Sequence, residues 1–243
     1  MKSFFQMLFL LSLTAITFSF IDPIFAQNNS SDKPYQQWTI SDVEKLLNDS
    51  PWAQTKSKGS AVGYNNPIIT SGYVPTPESV TLRLRSATPV RQAILRFRQI
   101  KAKYDKMSED DKRTFDAKQK DLIECPACAD NYVVTLSPPF GQSRGLPAGL
   151  KSIPFASLKL YVQLANEKAE KRELVHFVAP KNQVDDAVFF FPRFNEKGEP
   201  LVTATSKKII IFLDPKIFGA NPVTIVKFEF DVSKMTRNGE LMF

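Results

Sequence analysis

Two cysteines, two residues apart in the stretch "ECPACAD", are the residues of this chain whose types and spacing most directly suggest chemistry. Cys125 and Cys128 could act as a redox pair, supply half of a metal site, remain free thiols or form a local disulfide. Redox sites of the thioredoxin type place the first cysteine at the N-terminus of a helix, which lowers the pKa of its thiol. The choice between these interpretations therefore depends on the elements around the two cysteines.

The predicted elements around the motif stand in the opposite order. Ser108, followed by three acidic residues, is typical of a helix N-cap, and this helix runs into Glu124. The segment "NYVVTLS" after the motif is typical of a strand. The cysteines are therefore expected at the negative end of a helix, beside Glu124 and Asp130, where a thiol pKa rises. This order favours a disulfide over a redox site.

The rest of the chain offers little support for metal binding or catalysis. A structural zinc site takes four ligands, usually Cys and His, and the chain has one histidine, His176, in a predicted strand far from the cysteines. Every Ser-His-Asp scheme would have to use that histidine. The sequence contains neither a Gly-x-Ser-x-Gly motif nor a glycine-rich phosphate loop. We therefore predict no catalytic residue, no metal ligand and no cofactor.

The first residues predict export. A lysine at position 2 precedes a long apolar run, and the small residue Ala26 follows it, as in a secretory signal cleaved after residue 26. An uncleaved anchor is the alternative. No later stretch approaches the roughly 20 apolar residues that a membrane-spanning helix needs. We expect a secreted or periplasmic protein, in a compartment where paired thiols oxidise.

The net charge of +7 is concentrated in one segment. Eight basic residues and one acid, Asp105, lie between positions 83 and 106. The segment is either a solvated cationic helix face or a surface that contacts an anionic envelope component or an acidic protein. Nucleic acid is a less suitable partner, because no aromatic residues alternate with the basic ones for base stacking. The candidate contact residues are Arg83, Arg85, Arg91, Arg96, Arg98, Lys101 and Lys103.

The pattern along the chain predicts an α+β protein with two folded parts. After the signal (1–26) and a disordered polar tail (27–37), residues 38–137 are expected to form a mixed α+β domain. There, Thr39 with Asp42, or Ser41 with Glu44, caps a first helix, and Thr88 with Pro89 starts a basic helix. The proline- and glycine-rich stretch 138–154 is the expected linker.

Beyond the linker, alternating apolar residues predict six strands in residues 155–243, which we interpret as an immunoglobulin-like all-β sandwich. The predicted strands include "ASLKLYVQLA", "PLVTAT" and "TIVKFEFDV", with a glycine turn in "NEKGEP". Residues 54–79 are expected to form an irregular connection with a strand around 67–70. In the strand "SVTLRLRS", the side chains of Arg83 and Arg85 are expected on the exposed face.

The segments "DVEKLLNDSPWA", "SATPVRQAI", "CPACADNYVVTLS" and "FFFPRFNEKGEPLVT" resemble a set of uncharacterised secreted bacterial proteins with an SPWA motif and a CPxC motif. The resemblance covers most of the chain after the signal. It implies export and a layout of helices followed by a sandwich, and it brings no activity. The sequence thus favours an exported, non-enzymatic binding or structural and assembly protein. An extracytoplasmic thiol–disulfide oxidoreductase that uses Cys125 and Cys128 is the alternative.

Overall fold

The computed structural model describes residues 33–57, 79–142, 146, 148–182, 185–218, 226–237 and 240–243. Within these residues the chain is a mixed α+β protein, as predicted. It contains two main antiparallel sheets. The predicted signal at 1–26 and the predicted strand at 67–70 lie outside the described residues. None of the helices in the described part is long and apolar enough to cross a bilayer.

The larger sheet has six strands, which are β1 (Asp49–Ser50), β2 (Ala53–Ser57), β3 (Ser79–Leu84), β4 (Asn131–Ser137), β7 (His176–Val178) and β8 (Ala187–Pro192). Their order in the sheet is β1-β2-β3-β4-β8-β7. The central strand β4 is buried along nearly its whole length and pairs with β3 on one side and β8 on the other.

The smaller sheet has four strands, which are β5 (Val162–Asn166), β6 (Lys171–Arg172), β9 (Lys208–Leu213) and β10 (Val226–Asp231). Their order in the sheet is β10-β9-β5-β6. Phe228 and Phe230 are buried on one face of β10, as the alternation in "TIVKFEFDV" predicted. The outward-facing residues of this strand are Lys227, Glu229 and Asp231. A separate ribbon pairs β11 (Thr236–Arg237) with β12 (Glu240–Leu241).

Strand pairing joins the two parts of the chain, residues 38–137 and 155–243, that the sequence pattern predicted to be separate domains. Because β8 pairs with β4, strands from both sides of the 138–154 connector share one sheet, and this connector does not divide the sheets. The predicted immunoglobulin-like sandwich of residues 155–243 is not confirmed. Only β5, β6, β9 and β10 form a sheet of their own, whereas β7 and β8 belong to the larger one.

Two predicted strands of this region have a different structure. The first half of "ASLKLYVQLA" is the helix α5 (Phe155–Tyr161), and only the second half is strand β5. Pro154 lies immediately before α5, where its missing N–H costs nothing because the first N–H groups of a helix have no intrahelical partner. The segment "PLVTAT" contributes a single bridge, from Pro200 to Phe194, across the turn that contains Gly198. Gly198 has a φ of 79°, which glycine adopts without steric cost.

The helices of the first half follow the predicted caps closely. The helix α1 (Ile40–Asn48) begins with a capping box between Thr39 and Asp42, so Ser41 is inside the helix and is not its cap. The hydroxyl of Ser108 accepts from the Asp111 N–H at the start of α3 (Glu109–Glu124). The helix α2 (Thr88–Lys101) begins one residue earlier than expected, with Ala87 in the cap position.

A single hydrophobic cluster connects the two main sheets and three of the helices. Phe189 of the larger sheet belongs to the same cluster as Phe228 of the smaller sheet. The helices contribute Val43 of α1, Val90 of α2 and Leu158 of α5. Short 3-10 turns connect several elements, including Tyr35–Gln37 in the stretch that was expected to be disordered. The other turns are Tyr104–Lys106, Ala148–Lys151, Pro215–Phe218 and Val232–Met235.

Replacing Phe189 with alanine tests whether both sheets depend on the shared core. Phe189 is fully buried in the cluster, so we expect Phe189→Ala to lower the free energy of unfolding by about 3–5 kcal/mol. Phe194 is 44% exposed, and we expect Phe194→Ala to change the free energy of unfolding by no more than about 0.5 kcal/mol. Urea unfolding of the two variants measures the difference, and equal losses would contradict a core centred on Phe189.

Candidate functional site

The two cysteines form a disulfide, as the sequence predicted, with their Cα atoms 5.3 Å apart. Cys125 ends helix α3 in a left-handed conformation with a φ of 47°, and its N–H donates to the Asp121 carbonyl at 3.0 Å. Cys128 lies in a four-residue helix, α4 (Ala127–Asp130), which leads directly into β4. The motif therefore follows the C-terminus of a helix and precedes a strand, in the order that the sequence indicated; the short α4 was not predicted.

The Cys128 end of the disulfide is held by two arginines. The Nη1 atom of Arg91 lies 3.9 Å from the Cys128 Sγ, and Nη2 of Arg193 donates to the Cys128 carbonyl at 3.0 Å. Arg193 also stacks on the ring of Tyr132 in β4, with 4.7 Å from its guanidinium carbon to the ring centroid. The disulfide thus anchors the α3–α4 turn to the start of β4, where these side chains converge.

A cleft of about 220 Å³ lies between the disulfide turn and the larger sheet. One wall consists of Leu122 at the end of α3 together with the turn from Cys125 to Ala127. The other wall is a face of the sheet. The apolar residues on this face are Val133, Val178, Val188 and Phe190, and Arg85 lies at the end of β3 beside them.

A second groove, with a larger volume of about 350 Å³, lies on the outer face of the smaller sheet. Ile210 and Phe212 of β9 form its floor, and Gln163 and Lys171 line it from the neighbouring strands. Leu160, which is 71% exposed, stands at its rim. None of the predicted site residues lies in this groove.

Arg83 is buried, contrary to its prediction as an exposed residue. Its Nε donates to the Leu47 carbonyl and its Nη1 to the Ser137 hydroxyl, while Nη2 lies 3.4 Å from both the Asn48 Oδ1 and the Pro138 carbonyl. Burial lowers the pKa of Arg83, and Asp186, 3.9 Å away, opposes this effect. These partners lie in α1 and at the end of β4, far from Arg83 in the sequence, so Arg83 connects β3 to both elements.

Three more of the predicted contact residues are engaged within the protein. Arg85 lies 3.9 Å from Asp186, the same carboxylate that faces Arg83. Arg91 donates from Nε to the Ile123 carbonyl at 3.1 Å, and burial is the main cause of its lowered pKa. Arg96 donates to the Trp38 carbonyl at 3.0 Å and lies 3.7 Å from Asp105.

The remaining three predicted residues are exposed at the end of α2 and in the turn after it. Arg98 donates to the side chain of Gln119 on α3 at 2.6 Å, and Lys101 lies 5.6 Å above the ring of Phe97. Lys103 adopts the left-handed conformation that starts the Tyr104–Lys106 turn. The structure thus divides the basic segment into the buried Arg83, three half-buried arginines with internal partners and an exposed group at one end.

His176 lies on the edge strand β7 and is exposed, with its ring centroid 5.1 Å from that of Phe190. The strand β7 has no neighbour on its outer side within the described sheet. Among the described residues, no three His, Cys, Asp or Glu side chains lie close enough together to hold a metal ion.

Two important residues were missed in the sequence. Asn48 connects α1 to the chain after β4, because its Oδ1 accepts from the Phe140 N–H at 2.7 Å and its Nδ2 donates to the Phe140 carbonyl at 3.1 Å. Arg193 lies within the run "FFFPRF", where an arginine that interrupts apolar residues was the available signal.

Comparison of the chain with protein-family models, curated proteins and solved structures finds no match.

Replacing Arg83 with lysine tests its role as an internal connector. Lysine keeps the charge but cannot reach several acceptors with a planar fork, so Arg83→Lys should lower the free energy of unfolding by about 2–4 kcal/mol. Arg98→Lys, at an exposed position, should change the free energy of unfolding by about 0.5 kcal/mol or less. Urea unfolding with a far-ultraviolet circular dichroism signal compares the two, and an equally small loss at Arg83 would contradict the connector role.

Proposed function

We propose that this chain is an exported, non-enzymatic binding protein that docks on an anionic lipid surface of the cell envelope. The observation that carries the proposal is the exposed cationic group at the end of α2 and in the turn after it. We call these residues, Arg98, Lys101, Lys103 and Lys106, the basic tip. Export is supported by the signal-like residues 1–26 and by the disulfide, which forms in oxidising compartments.

The nearby acids do not neutralise the basic tip. Asp105 faces Arg96, and in the first turn of α3 Glu109 lies 2.8 Å from Lys112, while Asp110 contacts Arg113. Within the described part of the chain, none of the three tip lysines lies within ion-pair distance of a carboxylate. Their positive field therefore extends into solvent, where it can attract an anionic surface.

The tip lysines suit a lipid surface because each is exposed and carries its charge on a flexible stem. A basic side chain close to an anionic membrane contributes about 1 kcal/mol to binding. This attraction decays over a Debye length of about 10 Å at 0.1 M salt, so only residues at the contact surface contribute. The buried Arg83 and the half-buried Arg91 and Arg96 of the same segment have partners within the protein and do not take part in docking.

Replacing the three tip lysines with glutamine tests the proposal. We expect Lys101→Gln/Lys103→Gln/Lys106→Gln to weaken binding to phosphatidylglycerol vesicles by about a hundredfold, because three contributions of about 1 kcal/mol are lost. Vesicle co-sedimentation measures the affinity. Raising the salt concentration should weaken binding of the unchanged protein in the same way.

The matched control replaces three exposed lysines elsewhere on the protein. Lys168, Lys197 and Lys207 lie outside the basic tip, so their triple glutamine variant has the same net charge as the test variant. It should bind phosphatidylglycerol vesicles nearly as well as the unchanged protein. Equal loss in both variants, or equal binding to uncharged phosphatidylcholine vesicles, would contradict docking through the tip.

A thiol–disulfide oxidoreductase is the second candidate, and one observation favours it. The guanidinium of Arg91, 3.9 Å from the Cys128 Sγ, would stabilise a thiolate there after reduction. Against it, Cys125 lies at the C-terminus of α3, where the helix dipole disfavours a thiolate. The reduction of insulin by dithiothreitol distinguishes the two candidates. We expect the protein to leave the rate of insulin reduction unchanged. An acceleration that the double variant Cys125→Ser/Cys128→Ser abolishes would establish the oxidoreductase.

A further inference from the structure

We infer that the cleft beside the disulfide is a binding site for a short aliphatic carboxylate, with Arg85 as the partner of the carboxylate head. This site lies apart from the basic tip and does not depend on membrane docking. The inference rests on three features of the cleft: an open apolar sheet face, a guanidinium with unused donors, and a size that suits a short chain.

The floor of the cleft is an apolar sheet face that the fold leaves open. In the β4–β8 pair Val133 lies opposite Phe190, and in the β7–β8 pair Val178 lies opposite Val188, so these four side chains share one face. Val178 is 43% exposed, and Val188 and Phe190 are half-buried. Adjacent apolar side chains that remain in water are typical of a binding surface.

The positive charge of Arg85 in the cleft is only partly balanced by a carboxylate. Arg85 and Arg83 both lie 3.9 Å from one carboxylate, that of Asp186, so two guanidinium groups share one negative charge. Arg83 uses its donors on internal acceptors, whereas the Arg85 guanidinium makes no hydrogen bond to any of the residues that the structure describes. The Arg85 side chain is 28% exposed, and its planar fork matches a carboxylate in two parallel hydrogen bonds.

The surrounding charges support an anionic head group. Burial is the main cause of the lowered pKa of Arg91 and of Arg98, and the positive charge of Arg85 lowers both further, together with that of Arg193 in the case of Arg91. Asp121 is the one carboxylate that lines the cleft, and it is an exposed residue whose charge water screens. A ligand carboxylate would therefore enter a positive region.

The size of the cleft limits the tail of the ligand. Its volume of about 220 Å³ is below the range of about 300–1,000 Å³ that is typical of pockets for drug-sized molecules. The apolar face and Leu122 offer no hydrogen-bonding side chain along the tail, which favours a plain hydrocarbon chain. Octanoate, a short chain with one carboxylate, is the probe that combines these properties.

Calorimetric titration of the purified protein with octanoate tests the site. We expect one octanoate per chain and an affinity that Arg85→Met weakens by about tenfold to a hundredfold, the effect of losing a charged hydrogen-bond pair. Arg113→Met, a change of the same kind at an arginine that is 77% exposed, should leave the affinity unchanged. Octanol, which lacks the charge, should bind more weakly than octanoate and equally to the unchanged protein and to Arg85→Met.

A second pair of variants tests the tail contact without disturbing the buried core. Val178→Asp places a carboxylate in the cleft and should abolish octanoate binding, whereas Val175→Asp, at a position that is 49% exposed and does not line the cleft, should preserve it. Absence of octanoate binding, or equal affinity in unchanged protein, Arg85→Met and Val178→Asp, would overturn the inference. The glutamine variant of the basic tip should bind octanoate normally, so failure of vesicle docking and failure of this site are distinguishable.

Discussion

The buried guanidinium of Arg83 is the interaction on which the arrangement of this protein depends. It lies in β3 and reaches backbone carbonyls at the end of α1 and just after β4, so one side chain connects three parts of the fold. A charge can be buried in this way only when hydrogen bonds and an opposite charge replace the lost water. Asp186 supplies the opposite charge from the segment before β8. The same group therefore fixes the first helix and the central strands in one position.

The disulfide and the cleft are consequences of how α3 ends. Cys125 adopts the left-handed conformation that terminates the helix, and the bridge to Cys128 turns the chain back toward β4. The turn stands over the sheet without covering it, because α3 contributes one buried apolar residue, Leu122, near this end. The apolar side chains of β7 and β8 below it consequently remain partly in water. The Cys125–Cys128 disulfide shapes one wall of the cleft, which is a structural role and differs from electron exchange.

Local structure could be predicted from the sequence wherever neighbouring residues determine it. The capping box of Thr39 and Asp42, the cap at Ser108 and the alternation in β10 all depend on residues within a few positions, and all are confirmed. The disulfide was likewise favoured from the order of helix, cysteines and strand.

The position of the basic residues could not be predicted in the same way. Arg83 follows an alternating pattern that usually indicates an exposed side chain, and its burial depends on acceptors and a carboxylate located far along the chain. The pairing of β4 with β8 is another such case, because no local pattern shows which buried strand lies beside which. The helix α5 lies in an alternating segment, where seven residues after Pro154 fit a helix or a strand equally well.

The position of β4 has a consequence for how the chain reaches this structure. One edge of β4 pairs with β3, which precedes it, and the other edge waits for β8, which is synthesised after a long intervening segment. A buried strand with an open edge is a template for pairing with other chains. The Cys125–Cys128 bridge spans only neighbouring residues, so its closure does not require the pairing of β4 with β8. The covalent loop at the start of β4 is therefore independent of the strand that completes the sheet on its other side.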